Sequence, residues 1–493
     1  MSTDNQEHAA LSADANNFVT FSPEEEKALV KKIDRRMIPI VSMMYFLAYL
    51  DRVNLGNAKV ANNENKSDTL EASLGLDNLQ YNWAVAIFFV PYVIFEVPSN
   101  FMMRIAGPKI WLARIMVTWG IIATCQAFVS NFAGIMACRA LLGAAEAGLF
   151  PGVIFFFSFW YRKHEISTRV AVLFSFNSLA AAFSGLLATA LSQLNGRGGL
   201  KGWQWILILE GAPSIIIGVI AFVTLPNFPQ NSKFFLTPRE EEIAIGRLPT
   251  TAASVTDKKF DTVEFLHSLR DPLLVLFCLA SFFQVLPSYG TSYFRPSIIS
   301  GLGFTGNLAN LMSAFPSILT SIFDQFWGWH SDKVKERPMH ILFSLSMNLI
   351  GSALLIAGQI NLWAPGLRYF FMFIQAFSQS GLAITYVYRA NTLKGSTAQA
   401  TSTGLTIALG NIGGFVAPFA YPNSWGPLYI NAIWISFAMT TGAIFCVVAI
   451  WAYEVRMKRM DPQWAKEMAS DSEMSAREAT EDLKTKNESD RLD

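Results

Sequence analysis

An all-α membrane protein, with twelve transmembrane helices in two six-helix bundles, is the fold class this sequence predicts. Three observations lead there. Of 493 residues, 52% are hydrophobic and only 15% charged, where a soluble domain carries nearer a quarter charged residues. The apolar residues gather into runs close to the ~20 that a helix needs to cross a ~30 Å hydrocarbon layer. Those runs fall into two sets of six, parted by a polar stretch that holds Pro226, Pro229, Pro238 and Pro249.

In chain order, residues 1–36 are polar and acidic, and read as a disordered cytoplasmic tail without a cleavable signal. Residues 37–225 hold the first bundle, with spans at about 38–57, 81–102, 111–130, 133–159, 169–191 and 203–225. Residues 226–271 form a cytoplasmic central loop. Residues 272–453 hold the second bundle, with spans at about 272–294, 307–330, 339–359, 366–388, 399–421 and 428–452. The acidic stretch 454–493 reads as a second disordered tail.

Basic residues orient the array. Lys31, Lys32, Arg35 and Arg36 precede the first span and place the N-terminus inside. The loops expected inside carry Arg104, Lys109, Arg162, Lys163, Lys333, Lys335, Arg337, Arg389 and Lys394, besides the central loop. Those expected outside carry only Lys59, Lys66, Arg197, Lys201, Arg295 and Arg368. Both termini are therefore expected in the cytoplasm, with the plasma membrane as the host bilayer. Asn65-Lys-Ser67, in the longest exterior loop, is a sequon, so Asn65 is a candidate glycosylation site.

Several functions are disfavoured. A net charge of +1 without a basic block gives no reason to expect nucleic acid. Cys125, Cys138, Cys278 and Cys446 lie in apolar runs without a CxxC pair, against disulfides or thiolate metal sites. His164, His267, His330 and His340 are scattered and form no metal set. No nucleophile–base pair recurs in the loops, so neither an enzyme nor a cofactor is expected.

The candidate site lies in the spans. Arg139 and Glu146 sit within one apolar run, seven residues apart on one helix face, ~10 Å from each other. Gly143, Ala144 and Ala147 nearby would let a neighbour approach closely. Asp51-Arg52 interrupts the first span in the same way. Intramembrane charges cost ~2.5–3.5 kcal/mol each on insertion scales, so they should face protein or a water-filled cavity. Arg52 and Arg139 can pair with a carboxylate, while Glu146 or Asp51 can change charge and carry a proton. The alternative is structural, with Arg139–Asp51 and Arg52–Glu146 as ion pairs between helices. Glu96 and Glu210 read as structural or gating groups. The second half offers Gln284, Tyr289, Tyr293, Gln375, Gln379, Tyr386 and Asn411 as neutral ligands, with interhelical hydrogen bonding as the plainer role.

The duplicated layout resembles the major facilitator superfamily. Trp327-Gly-Trp-His-Ser-Asp332-Lys-Val-Lys-Glu-Arg337 is similar to its Gly-x-x-x-Asp-Arg-x-x-Arg loop. In the first-half counterpart, Glu96 to Lys109, Asn100 stands near where an Asp is usual. That resemblance implies gating roles for Asp332, Arg337 and Arg104, and Asp324, one turn before the Gly328–Asp332 latch, reads as a gating residue too. Tyr49-Leu-Asp-Arg-Val-Asn-Leu-Gly-Asn-Ala58, Glu96-Val-Pro-Ser-Asn100, Arg139 through Gly152 and Trp203 through Gly211 resemble the anion:cation symporter branch. Within it they look most like the fungal allantoate and nicotinate permease group. The resemblance implies import of a small organic anion by a proton-coupled symporter, such as nicotinate, allantoate or another vitamin-like carboxylate, through alternating access by a monomer. Two alternatives remain. One is a proton-antiport exporter, although the fifth span, Ser178 to Leu187, lacks the Pro of the usual exporter stretch. The other is a non-transporting nutrient receptor.

Overall fold

The computed structural model describes residues 21–62, 65–232, 234–248, 269–304, 307–334, 336–377, 379–392 and 396–460. Most of both expected tails and much of the central loop lie outside the described residues.

The first half holds α1 (Pro23–Val60), α2 (Asn78–Ala86), α3 (Phe89–Ala106), α4 (Pro108–Cys125), α5 (Phe132–Glu146), α6 (Leu149–Phe157), α7 (Lys163–Ser192) and α8 (Gly202–Thr224). The linker contributes α9 (Pro238–Gly246). The second half holds α10 (Pro272–Gly301), α11 (Asn307–Val334), α12 (Pro338–Ile360), α13 (Pro365–Ala376), α14 (Gln379–Asn391), α15 (Ser396–Val416) and α16 (Ile430–Met460). No strand occurs among the described residues. Among the described residues, ten helical segments are long and apolar enough to cross a membrane. At the first and eighth expected spans lie α1 and α11, which carry more polar side chains: Asp51, Arg52, Asn54 and Asn57 on one, Asn310, Ser313, Ser317 and Asp324 on the other. Most of these polar groups are buried where helices meet, so the low hydropathy reflects interior packing.

The structure departs from the expected boundaries in three ways. First, α1 starts at Pro23, inside the stretch read as a tail. Ser22 Oγ accepts from the Glu25 N–H at 3.1 Å while the Glu25 carboxylate accepts from the Ser22 N–H at 2.8 Å. Glu24, Glu25 and Glu26 oppose the helix dipole in that first turn. Second, spans expected as single helices are broken. The fourth divides at Gly148, whose φ of 83° is left-handed and whose Cβ, if present, would lie 2.4 Å from Ser99 Oγ. Third, Lys59, Arg295 and Arg368 are not loop residues. Each lies in a helix and is 7–8% exposed; each is close enough to a span end for charge counting to misplace it.

Residues from the two halves meet towards the end of the molecule opposite the termini. A Cβ on Gly56 would lie 2.4 Å from Tyr293 O, and one on Gly185 2.3 Å from Asn310 O. Asn310 Nδ2 donates to Asn57 O at 3.3 Å, and Ser192 Oγ to Asn307 Oδ1 at 2.6 Å. Tyr81 packs edge-on to Phe294, and Trp83 to Phe419. The termini end looks different. Arg169 clamps Asp34 with two bonds of 2.7 Å, Lys32 reaches Glu240 on α9 at 2.7 Å, and Arg247 joins Glu165 and Glu26. In the second half, Arg389 pairs with Asp271 at 2.7 Å. None of these ion pairs joins the two bundles.

Candidate functional site

Arg52 lies in the second half of the apolar stretch of α1, where its guanidinium meets four side chains. Nε donates to Glu146 Oε1 at 2.8 Å, with Nη2 2.5 Å from the same oxygen. Nη1 donates to Tyr289 Oη at 3.2 Å, across the boundary between bundles. Below it lie the rings of Tyr92, at 5.0 Å, and Phe88, at 5.6 Å. Glu146 closes α5 and its side chain is fully buried, while that of Arg52 keeps 18% exposure. The second carboxylate oxygen, Oε2, has no hydrogen-bond partner among the described residues. A buried ion pair broken on one side costs about 3–5 kcal/mol, so charge can leave this pair only by replacement or protonation.

Small residues make the geometry possible. A Cβ on Gly143 would sit 2.0 Å from Phe88 O, so α5 lies directly on the start of α3. The expected close approach at Gly143 is therefore seen, and its neighbour is a helix.

Arg139 departs from expectation. It is 1% exposed, donates from Nε to Ala84 O at 3.2 Å and lies 5.4 Å from the Phe88 ring. No carboxylate comes within 4 Å of it among the described residues, although it shares a helix with Glu146. Arg139 and Arg52 share the Phe88 ring, at 5.4 and 5.6 Å. Of the two alternative ion pairs, Arg52–Glu146 forms and Arg139–Asp51 does not. Asp51 accepts from Asn54 Nδ2 at 3.2 Å and faces the Trp119 indole. Glu210, 2% exposed, lies on the far side of Asn54.

On the second bundle, Tyr289 and Tyr293 stack at 5.7 Å, and Tyr289 packs edge-on to Phe89 at 5.1 Å. The Gln375 amide donates to Ser352 Oγ at 3.0 Å within the second bundle, the interhelical contact that is its plainer role. Gln284 likewise donates to Thr385 Oγ1 at 3.1 Å. Asn411 is half-buried on α15, next to Gly410, which lies against Ser281. Ser281 and Tyr386 share a hydrogen bond of 3.1 Å.

Of the gating candidates, Asp324 is half-buried on α11, and Arg337 Nη1 donates to Ser331 Oγ at 3.0 Å. The side chains of Arg104, Asp332 and Gln379 lie outside the described residues. Asn65 is exposed at the end opposite the termini.

Sequence reasoning missed Tyr92, Phe88 and the histidine pair. Nothing marks those two rings among 40 Phe and 13 Tyr. Two of the histidines expected to be scattered meet beside Glu336: His330 Nδ1 is 2.8 Å from His340 Nε2, whose Nδ1 is 2.7 Å from Glu336 Oε2. The two ring nitrogens point at each other in a hydrogen bond, not at a common metal position.

Residues 41–418 match the Major Facilitator Superfamily. The chain is 33% identical over 418 residues to the major facilitator-type transporter hxnP of Emericella nidulans, covering 83% of this chain and 82% of that one. It is 31% identical over 398 residues to an Agrobacterium vitis protein named for tartrate transport, covering 80% and 87%. Among solved structures, the Escherichia coli xylose transporter XylE, in a partially occluded inward-open conformation, superposes with a TM-score of 0.62 at 15% identity, covering 85% and 99%. The D-xylose-proton symporter superposes with a TM-score of 0.65 at 13% identity, covering 85% and 97%. This chain belongs to the Major Facilitator Superfamily and is a multi-pass membrane transporter.

Proposed function

We propose that the protein is a proton-coupled symporter that imports a small organic anion, of the nicotinate, allantoate or tartrate kind, by alternating access. One observation carries this reading: the buried Arg52–Glu146 pair touches Tyr289 of the opposite bundle. A carboxylate substrate competes with Glu146 for the guanidinium, and Glu146 is released when it takes a proton. Substrate and proton then enter together, because either alone leaves an uncompensated charge in the membrane. Asp51 is the second candidate for the proton.

The contacts between bundles near the end opposite the termini fit an inward-facing state, and the ion pairs named at the termini end do not join the two bundles. With both termini cytoplasmic and twelve spans, Asp324, Asp332, Arg337 and Arg104 lie where a latch would close the inner side. The named tartrate relative supports a carboxylate substrate, and the plasma membrane is the expected location for a monomeric importer.

The test is Glu146→Gln in reconstituted vesicles. The amide is close in shape to the protonated acid, so exchange of internal for external substrate should survive while accumulation driven by an acid exterior is lost. Concentrative uptake by the variant would remove Glu146 as the coupling group, and Asp51→Asn would be tested next.

A further inference from the structure

Three of the enclosed arginines are matched by an acid: Arg52 by Glu146, Arg247 by Glu165, Arg389 by Asp271; Arg139 and Arg368 are held by Ala84 O and Gln359 Oε1. Arg295 lies on α10 at 8% exposure, donates from Nη1 to Ser317 Oγ at 2.7 Å, has no ion-pair partner among the described residues, and has the phenols of Tyr49 and Tyr369 as electrostatic neighbours. A guanidinium stays charged at any relevant pH, and a buried cation without an anion is costly.

The side chain opens on a cavity of about 30 Å³ between the two bundles. That is room for about two waters, and a carboxylate group is of similar size. Tyr49 and Ser184 contribute from the first bundle, and Ser292, Ser313, Ser317 and Thr320 from the second. Ser313, Ser317 and Thr320 now donate to carbonyls of their own helix, at 2.6, 3.3 and 2.8 Å. A hydroxyl can rotate to donate elsewhere, so the wall can present several donors to an incoming anion. Tyr49 also connects this cavity with the central site, being within electrostatic reach of both Arg295 and Arg52.

We propose that Arg295 and these hydroxyls form a second anion subsite, which takes the far carboxylate of a dicarboxylate substrate held at its other end by Arg52. The assignment rests on the proposed function and narrows its substrate class. Because both bundles line the cavity, an anion seated there bridges them and favours the conformation in which they meet.

The experiment measures thermal protection of the purified full-length protein by a panel of mono- and dicarboxylates headed by nicotinate and tartrate, with chloride alongside. Wild type should bind the best dicarboxylate about tenfold or more tighter than its monocarboxylate analogue. Arg295→Gln should abolish that preference without weakening the monocarboxylate, and Arg295→Lys should keep part of it. Equal protection of wild type and Arg295→Gln by dicarboxylates, or protection by monocarboxylates alone, overturns the subsite while leaving the proposed function standing. Protection by chloride alone, lost in Arg295→Gln, assigns the cavity to an inorganic ion and overturns the dicarboxylate reading. If no carboxylate protects the wild type, the proposed function falls and the subsite falls with it.

Discussion

The two bundles share a helical plan but treat charge differently. The first buries Asp51, Arg139, Glu146 and Glu210, with Arg52 nearly so, around one side of the membrane centre. The second faces them with Tyr289 and Tyr293, while Gln284 is satisfied by Thr385 and Ser281 by Tyr386. The second half also buries Arg295, Arg368 and Arg389. Ionisable groups are expensive in the membrane and move only with compensation. A plan in which one bundle keeps the charge-exchanging pair and the other closes over it with rings and hydroxyls lets the halves rock without carrying that pair through lipid.

The largest expected effect tests the charged side. Arg52→Gln leaves Glu146 buried without its cation, a loss of about 3–5 kcal/mol unless Glu146 is protonated. Uptake should stop, and the thermal midpoint of the purified variant should recover at acid pH. Arg52→Lys keeps the charge but loses the planar fork, so it should fold normally and still transport poorly. Arg139→Lys should do the reverse. It loses the bond to Ala84 O and the packing against Phe88, lowering stability with a smaller change in substrate affinity. Equal effects of the two Lys variants on affinity would put Arg139 at the substrate after all.

Packing provides the next contrast. Gly56→Ala and Gly143→Ala each force a methyl into a carbonyl contact under 2.5 Å, and overpacking typically costs about 1–3 kcal/mol. Gly143 lies within the first bundle, so its variant should lower thermal stability alone. Gly56 lies between bundles, so its variant should also open the end opposite the termini. Labelling of a cysteine placed in the cavity near Arg295, from that side, would reveal the opening. Labelling unchanged by Gly56→Ala would mean that this contact does not hold the end closed.

Tyr289→Phe removes a single 3.2 Å bond to a charged group and keeps the ring. We expect a loss on the order of 1 kcal/mol, roughly fivefold in KM, far below Arg52→Gln. Smallest of all, Asn65→Gln in a fungal host should remove a glycan and leave transport intact. A chain that carries no glycan at Asn65 in wild type would weaken the assignment of that end to the exterior.

How much of this was legible in the sequence differs by type of feature. Apolar run length, the polar interruption at 226–271 and the loop motifs suffice for the fold class, because the cost of exposing backbone in lipid leaves helices as almost the only choice. The positions of Arg52, Arg139 and Glu146 could also be picked out, since any charge in an apolar run demands an explanation. Tertiary structure decided which of them pair. Arg52 and Glu146 are 94 residues apart, and their contact depends on Gly143 letting α5 settle on Phe88. Arg139 meets Ala84 O instead of a carboxylate, and Gln375 meets Ser352. The burial of Arg295 was equally hidden, because a cation near the end of an apolar run reads as a loop residue until the neighbouring helix is in place. Sequence records the solvent each segment requires, through composition and period. Partner choice among buried polar groups depends on distances of a few tenths of an ångström between helices remote in the chain, and only the assembled bundle sets those.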